Sequence, residues 1–189
     1  VSRRICVFCG SRFGSDPAFR ALAQSVGREI ARRGGRIVYG GGSVGLMGEL
    51  ARAAQAEGAS VVGYIPERLQ RREVAKHDLD ALHVTGTMFE RKQRMIDDAD
   101  GFLALPGGLG TLDEILDAVT LRQLGYHDRP IVLLDHAGFW QPWVAFVRHF
   151  VAQGFADPSA ERLFAVLPDI ATALDAVGLP DPHPSLTGC

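Results

Sequence analysis

The chain opens on a short, uninterrupted apolar run at residues 5–9. It breaks at Gly10, Ser11 and Gly14 into a segment whose apolar residues Phe19, Leu22, Val26 and Ile30 recur at helical spacing. Strand, loop and helix are the elements this pattern predicts. The same order returns with a strand at 36–39, the loop GGGSVG at 40–45 and a helix carrying Met47, Leu50 and Ala54. A third strand at 60–65 stops at Pro66, and the charged, weakly periodic stretch 67–80 reads as an excursion before a short extended piece at 82–84. Thr85 or Thr87 is placed to cap a helix running to about residue 98. Beyond it the pattern gives a strand at 101–105, a turn-rich loop at 106–110, a helix at 111–124 and a strand at 130–134. A strand-like run at 164–167 precedes a short helix from Pro168.

The strands are continuous apolar runs and do not alternate, as expected where both faces of a parallel sheet are covered by helices. The predicted fold class is therefore α/β, a Rossmann-like doubly wound parallel sheet with helices on both faces. It forms one domain over 1–180, followed by a tail at 181–189 expected to be mobile. The segment 139–153 carries Phe139, Trp140, Trp143, Phe146 and Phe150, too many large rings for a solvated face. Core packing and a subunit interface both fit it.

Composition narrows the setting. The 189 residues are 47% hydrophobic and 22% charged, ordinary for one globular core. A net charge of -2, from 20 Lys plus Arg against 22 Asp plus Glu, gives no general reason to bind a nucleic acid polymer or an anionic membrane, so any anion site must be local. The absence of a long apolar stretch predicts no membrane span and no secretory segment, and the expected location is the cytoplasm. Three cysteines, Cys6, Cys9 and Cys189, make an odd set that reads as reduced thiols. Cys6 and Cys9 have C-x-x-C spacing but lie in a predicted buried strand, where a structural role competes with redox or metal chemistry. The six histidines are dispersed without an H-x-x-x-H pair, so no metal site is predicted.

In a doubly wound sheet ligands lie at the carboxyl ends of the strands. Three loops at such ends are dense in glycine: CGSRFG (9–14), GGGSVGLMG (40–48) and PGGLGTLDE (106–114). Glycine lets backbone N–H groups approach a ligand closely, although it also serves simply to turn a chain. Gly10, Ser11, Gly41 and Gly42 are candidate contacts in the first two loops. Gly107, Gly108, Leu109, Gly110 and Thr111 are candidates in the third, where free amides at a helix start and the Thr111 hydroxyl suit a phosphate. No loop is a Walker A sequence, and the first lacks dinucleotide spacing. For chemistry, Glu114 lies one turn into the helix beside the glycines, and Arg91 and Lys92 lie on the preceding helix. A carboxylate and a guanidinium near a phosphate suit a reaction that develops positive charge on a sugar ring. Equally, Glu114 could be a first-turn residue favoured by the helix dipole and Arg91 part of a solvated face.

With VFCGS at 7–11, YGGG at 39–42, GLMG at 45–48, MFERKQRM at 88–95, PGGLGTLDE at 106–114, QLG at 123–125 and RPI at 129–131, the chain resembles the LONELY GUY family of cytokinin-activating phosphoribohydrolases. The resemblance spans about residues 3–150. It implies a Rossmann-like homodimer that hydrolyses the N-glycosidic bond of a cytokinin riboside 5'-monophosphate or AMP, without metal or organic cofactor. It also places catalysis on Arg91 and Glu114. Nucleotide contacts fall on Glu73, Met88, Lys92, the run Gly107, Gly108, Leu109, Gly110, Thr111, Leu112 and Asp113, and Thr120. Phe89, Leu109 and Leu121 depart from the His, Tyr and Trp common at those positions and bear on base preference. The rival functions are a carrier of a nucleotide-like phosphate such as molybdenum cofactor, and lysine decarboxylation. The second needs an electron sink, and no lysine stands in a context marking a pyridoxal phosphate attachment.

Overall fold

The computed structural model describes residues 2–70, 75–76 and 78–182. Seven strands form one sheet: β1 (Arg4–Phe8), β2 (Arg36–Tyr39), β3 (Val61–Pro66), β4 (Ala81–Thr85), β5 (Gly101–Ala104), β6 (Ile131–Leu134) and β7 (Ala165–Leu167). Every neighbouring pair is parallel, and the order is β4-β3-β2-β1-β5-β6-β7. The expected Rossmann-like doubly wound class is the observed one. Alternate residues of each central strand enter opposite cores. Ile5, Val7, Ile37 and Leu103 pack with α1 (Ala18–Arg32), α2 (Gly45–Ala56) and α6 (Ile170–Ala176). Cys6, Phe8, Val38 and Phe102 pack with α3 (Met88–Asp97), α4 (Leu109–Gln123) and α5 (Gln141–Ala152). Burial on both faces is why the strands read as unbroken apolar runs.

From β1 the chain winds outward through β2 and β3 to β4, then crosses back by α3 to place β5 on the other side of β1. The loops after β1 and β5 therefore diverge, and a crevice opens between them at the carboxyl ends of the strands. On one flank α1 and α2 touch backbone to backbone at Gly27, where a Cβ would stand 2.4 Å from the Leu50 carbonyl oxygen.

Several boundaries differ from the sequence pattern for local reasons. The cap of α3 is Thr87, whose Oγ1 accepts from the Glu90 N–H at 3.0 Å while the Glu90 carboxylate reaches back to the Gly86 N–H at 2.8 Å, a variant of the capping box. Helix α4 starts at Leu109, two residues before the expected Thr111. Extended Gly108 acts as its N-cap, and the Gly108 carbonyl accepts from Leu112 N–H at 3.0 Å. The aromatic segment 139–153 becomes helical only from Gln141. The Asp135 carboxylate captures the Trp140 N–H and the Gln141 side chain, Ala137 takes φ 53°, and a short 3-10 turn precedes α5. Trp140, Trp143 and Val147 then enter the core, while Phe146 faces outward at 53% exposure.

Candidate functional site

The crevice between the β1 and β5 loops is a cleft of about 680 Å³, in the usual size range of a small-molecule site. Its floor is the carboxyl end of the sheet. The two loops are tied together where the Gly10 N–H donates to the Pro106 carbonyl at 3.2 Å. Of the predicted contacts, Gly10, Ser11, Gly107, Gly108, Leu109, Gly110 and Thr111 line this cleft, together with Arg91 and Glu114.

The three glycine loops do different things. At α2 the Gly10 carbonyl accepts from Leu46 N–H at 3.0 Å and Met47 N–H at 3.4 Å, so the first-turn amides of that helix already have a partner within the protein. Packing also accounts for the glycines there. A Cβ on Gly40 would stand 1.9 Å from Arg91 Nη2, and Gly41, at φ +75°, lies against Leu82 and Ile65. Gly41 and Gly42 are not among the residues that line the cleft, and Gly42 instead bridges to Ala75. At α4 only Gly107 is required by packing, since its Cβ would meet Thr111 Oγ1 at 2.1 Å. Gly108 and Gly110 have nothing within 4 Å of a would-be Cβ and neither has a positive φ. Their missing side chains leave the backbone of a helix N-terminus bare toward the cleft, the arrangement that receives an anion.

Thr111 and Glu114 follow at i and i+3 on one face of α4, and both side chains are buried against the cleft. Arg91 comes to the same place from α3. Its Nε donates to the Tyr64 carbonyl at 3.0 Å, its Nη2 to the Gly40 carbonyl at 3.3 Å, and the same Nη2 stands 3.5 Å from Glu114 Oε1. The guanidinium is thus fixed by the ends of β2 and β3 beside the carboxylate, with its Nη1 edge 3.8 Å from the Met88 sulfur. Cys9 also lines the cleft. Burial, with a further push from the Glu114 charge, raises its thiol pKa far above the usual range, so it stands there as a neutral thiol. Burial does the same to Cys6, and both thiols are free. This favours the structural reading of the C-x-x-C pair over the redox one.

The remaining candidates lie elsewhere. Lys92 is buried under α4 and donates to Asp113 at 2.9 Å and pairs with Asp117 at 2.7 Å. Burial opposes its charge, but those two carboxylates hold its pKa above the ordinary lysine value. Leu112, Asp113, Met88 and Thr120 do not line the cleft of this chain, and Thr120 is exposed farther along α4. Glu73 lies outside the described residues, as do His77, Cys189 and the end of the tail. Among the described residues no group of three His, Cys, Asp or Glu side chains could hold a metal ion, and no helix is long and apolar enough to cross a membrane. Sequence reasoning missed the apolar wall of the cleft, formed by Phe13, Phe19, Leu46, Met47 and Phe139. Phe13 and Phe19 follow β1 and Phe139 follows β6, so the rule that ligands sit at strand carboxyl ends would have pointed to them.

The family described as "Possible lysine decarboxylase" matches residues 47–177. The chain is 44% identical over 167 residues to the "Probable cytokinin riboside 5'-monophosphate phosphoribohydrolase LOGL9" of Oryza sativa subsp. japonica, an alignment covering 88% of this chain and 74% of the relative. It is 41% identical over 179 residues to the "Cytokinin riboside 5'-monophosphate phosphoribohydrolase" of Rhodococcoides fascians, with 94% and 90% covered. Among solved structures, the Moco carrier protein from Chlamydomonas reinhardtii superposes with a TM-score of 0.70 at 25% identity, covering 94% of this chain and 96% of the other. The molybdenum cofactor binding protein from Rippkaea orientalis shares the fold with a TM-score of 0.70 at 20% identity, over 93% and 94% of the two chains.

Proposed function

Since this chain belongs to the LOG family of cytokinin riboside 5'-monophosphate phosphoribohydrolases, we propose that it hydrolyses the N-glycosidic bond of a cytokinin riboside 5'-monophosphate or of AMP, releasing free base and ribose 5-phosphate. The observation that carries this reading is the unfilled backbone at Gly108 and Gly110, next to the buried Arg91–Glu114 pair. A phosphate on the α4 amides and the Thr111 hydroxyl would bring the attached ribose toward Glu114, which follows Thr111 by one helical turn.

In that pose the bond from C1' to the base nitrogen breaks and its electron pair leaves with the base, which takes up a proton. Positive charge develops on the ring, water adds to C1' and surrenders its proton. Glu114 stabilises the cationic ring or orients the water, as the carboxylate pair of a glycosidase does. Arg91 holds the Glu114 carboxylate from one side, and as a cation lining the cleft it adds positive charge beside a bound ribose phosphate. The electrostatic work is done by groups already in position, so little reorganisation accompanies the reaction.

Two further parts of the proposal concern assembly and place. A homodimer accounts for contact candidates such as Thr120 and Asp113 lying off the cleft of one chain, since a partner copy would give them a nucleotide to meet. The cytoplasm is the location consistent with reduced Cys6 and Cys9. The test is to incubate pure protein with AMP and with isopentenyladenosine 5'-monophosphate and to chromatograph the products. Free base equimolar with ribose 5-phosphate is expected. Tight binding of both nucleotides with no base released would support a carrier instead.

A further inference from the structure

Between α1 and α2, beside the cleft, lies a polar cluster that the proposed reaction does not use. Glu49, with its side chain only 6% exposed, accepts from Gln24 Nε2 at 2.5 Å, Arg52 Nη2 at 2.7 Å and Arg20 Nη2 at 2.9 Å. Three donors converge on a carboxylate in a helix interface that is otherwise apolar enough for backbones to touch at Gly27. A buried carboxylate this well served fixes the side chains that serve it, and it has two arms toward the cleft. Arg52 Nη1 donates to the Ser43 carbonyl at 3.1 Å, in the loop that leads to the cleft residues Leu46 and Met47. Arg20 places its guanidinium 5.1 Å from the centre of the Phe13 ring.

Phe13 lines the cleft from a loop, between Arg12 and Gly14, and is 43% exposed. A ring this exposed is only partly packed, so the cation over it contributes to its orientation. Arg20 would itself be a long, mobile surface side chain without Glu49 to receive it. Phe19 and Phe139, in edge contact at 5.8 Å, line the same cleft. The cavity is lined by Arg91, Glu114 and Thr111 around the start of α4, and by the rings of Phe13, Phe19 and Phe139, with Ser11 and Arg12 in the loop that carries Phe13. A nucleotide whose phosphate and ribose lie at the start of α4 has its base, or an apolar group on the base, directed to the rings.

We propose that Phe13 is a specificity-determining wall of the cleft and that Glu49 is a positioning residue acting on it through Arg20, so that the site distinguishes nucleotides by the apolar substituent on the base. This rests on the nucleotide reading of the site. The experiment measures the affinities for isopentenyladenosine 5'-monophosphate and AMP by titration in a Glu114→Gln background, where turnover is suppressed, and kcat/KM for both with Glu114 intact. The variants are Phe13→Ala, Arg20→Ala, Glu49→Gln and the double variant Phe13→Ala with Arg20→Ala. Arg20 is more than half exposed, so its removal does not open the core.

The affinity ratio, substituted over unsubstituted nucleotide, is expected to fall on the order of 10-fold in Phe13→Ala, as for the loss of one apolar contact in a specificity pocket. It should fall in the same direction in Arg20→Ala and Glu49→Gln, and the double variant should fall no further than Phe13→Ala alone. A ratio unchanged in Phe13→Ala, or additive losses in the double variant, overturns the proposal even if base release is normal. A falling ratio in a protein that releases no base keeps the wall and overturns the hydrolase reading. Failure of the parent protein to bind either nucleotide overturns both.

Discussion

Gly107 and Gly110 stand three residues apart and are glycine for opposite reasons. A Cβ on Gly107 collides with the Thr111 hydroxyl, whereas one on Gly110 meets no protein atom. Gly107→Ala should therefore lower stability by about 1–3 kcal/mol, the usual penalty for overpacking. Gly110→Ala, inside the first turn of α4, should raise stability by up to about 1 kcal/mol through helix propensity while weakening nucleotide binding. Thermal melts and nucleotide titrations of the two variants separate these effects, and loss of stability in Gly110→Ala would remove the reason given for its bareness. Glu114→Gln keeps shape and removes charge, so base release should fall at least about 10²-fold with the fold retained. Equal turnover by the parent and Glu114→Gln would remove Glu114 from the chemistry. That the GGLG run and Glu114 belong together was legible from spacing alone. Which glycines face a ligand was not, because that depends on what surrounds each absent side chain in space.

At the scale of elements, the strands and helices were readable because burial on both sheet faces writes continuous apolar runs, and helices write a 3.6-residue period. Strand order was not readable, since no local pattern says that β5 pairs with β1 and not with β4. Yet that pairing makes the crevice and brings the turn after β6, with Phe139, to its wall. Nor did the sequence reveal that the first turn of α2 is satisfied by the Gly10 carbonyl, which leaves α4 as the helix end open to an anion. The link between α1 and α2 makes a pH prediction. Burial pushes the Glu49 carboxyl pKa up, but hydrogen bonds from Gln24, Arg52 and Arg20 outweigh it and hold the carboxyl at about 2. The unfolded value is about 4.3, so this stabilisation is complete above that pH and is lost as pH falls toward 2. Denaturant melts from pH 6 to 2 should accordingly show a shallower acid decline in Glu49→Gln than in the parent. Parallel declines would mean that the cluster contributes no stability.

For the whole molecule, large apolar side chains remain exposed along α3 and the start and end of α4, notably Phe89, Leu109, Leu124 and Tyr126. A two-fold pairing would cover such a surface with its own copy. Light scattering behind size exclusion should give about twice the chain mass at assay concentration, and full activity in a species of one chain mass would refute the dimer. The aromatic segment is informative at this scale. Its sequence fitted both core and interface, and the structure buries Trp140 and Trp143 while turning Phe146 outward, so composition could not have chosen between them. The central claim is that the open start of α4 captures the 5'-phosphate and so delivers the sugar to Glu114. It is tested most directly by the ratio of kcat/KM for AMP to that for adenosine in the base-release assay. A site built this way should favour AMP by at least about 10²-fold, the scale of one preorganised electrostatic contact; comparable values for nucleotide and nucleoside would contradict it.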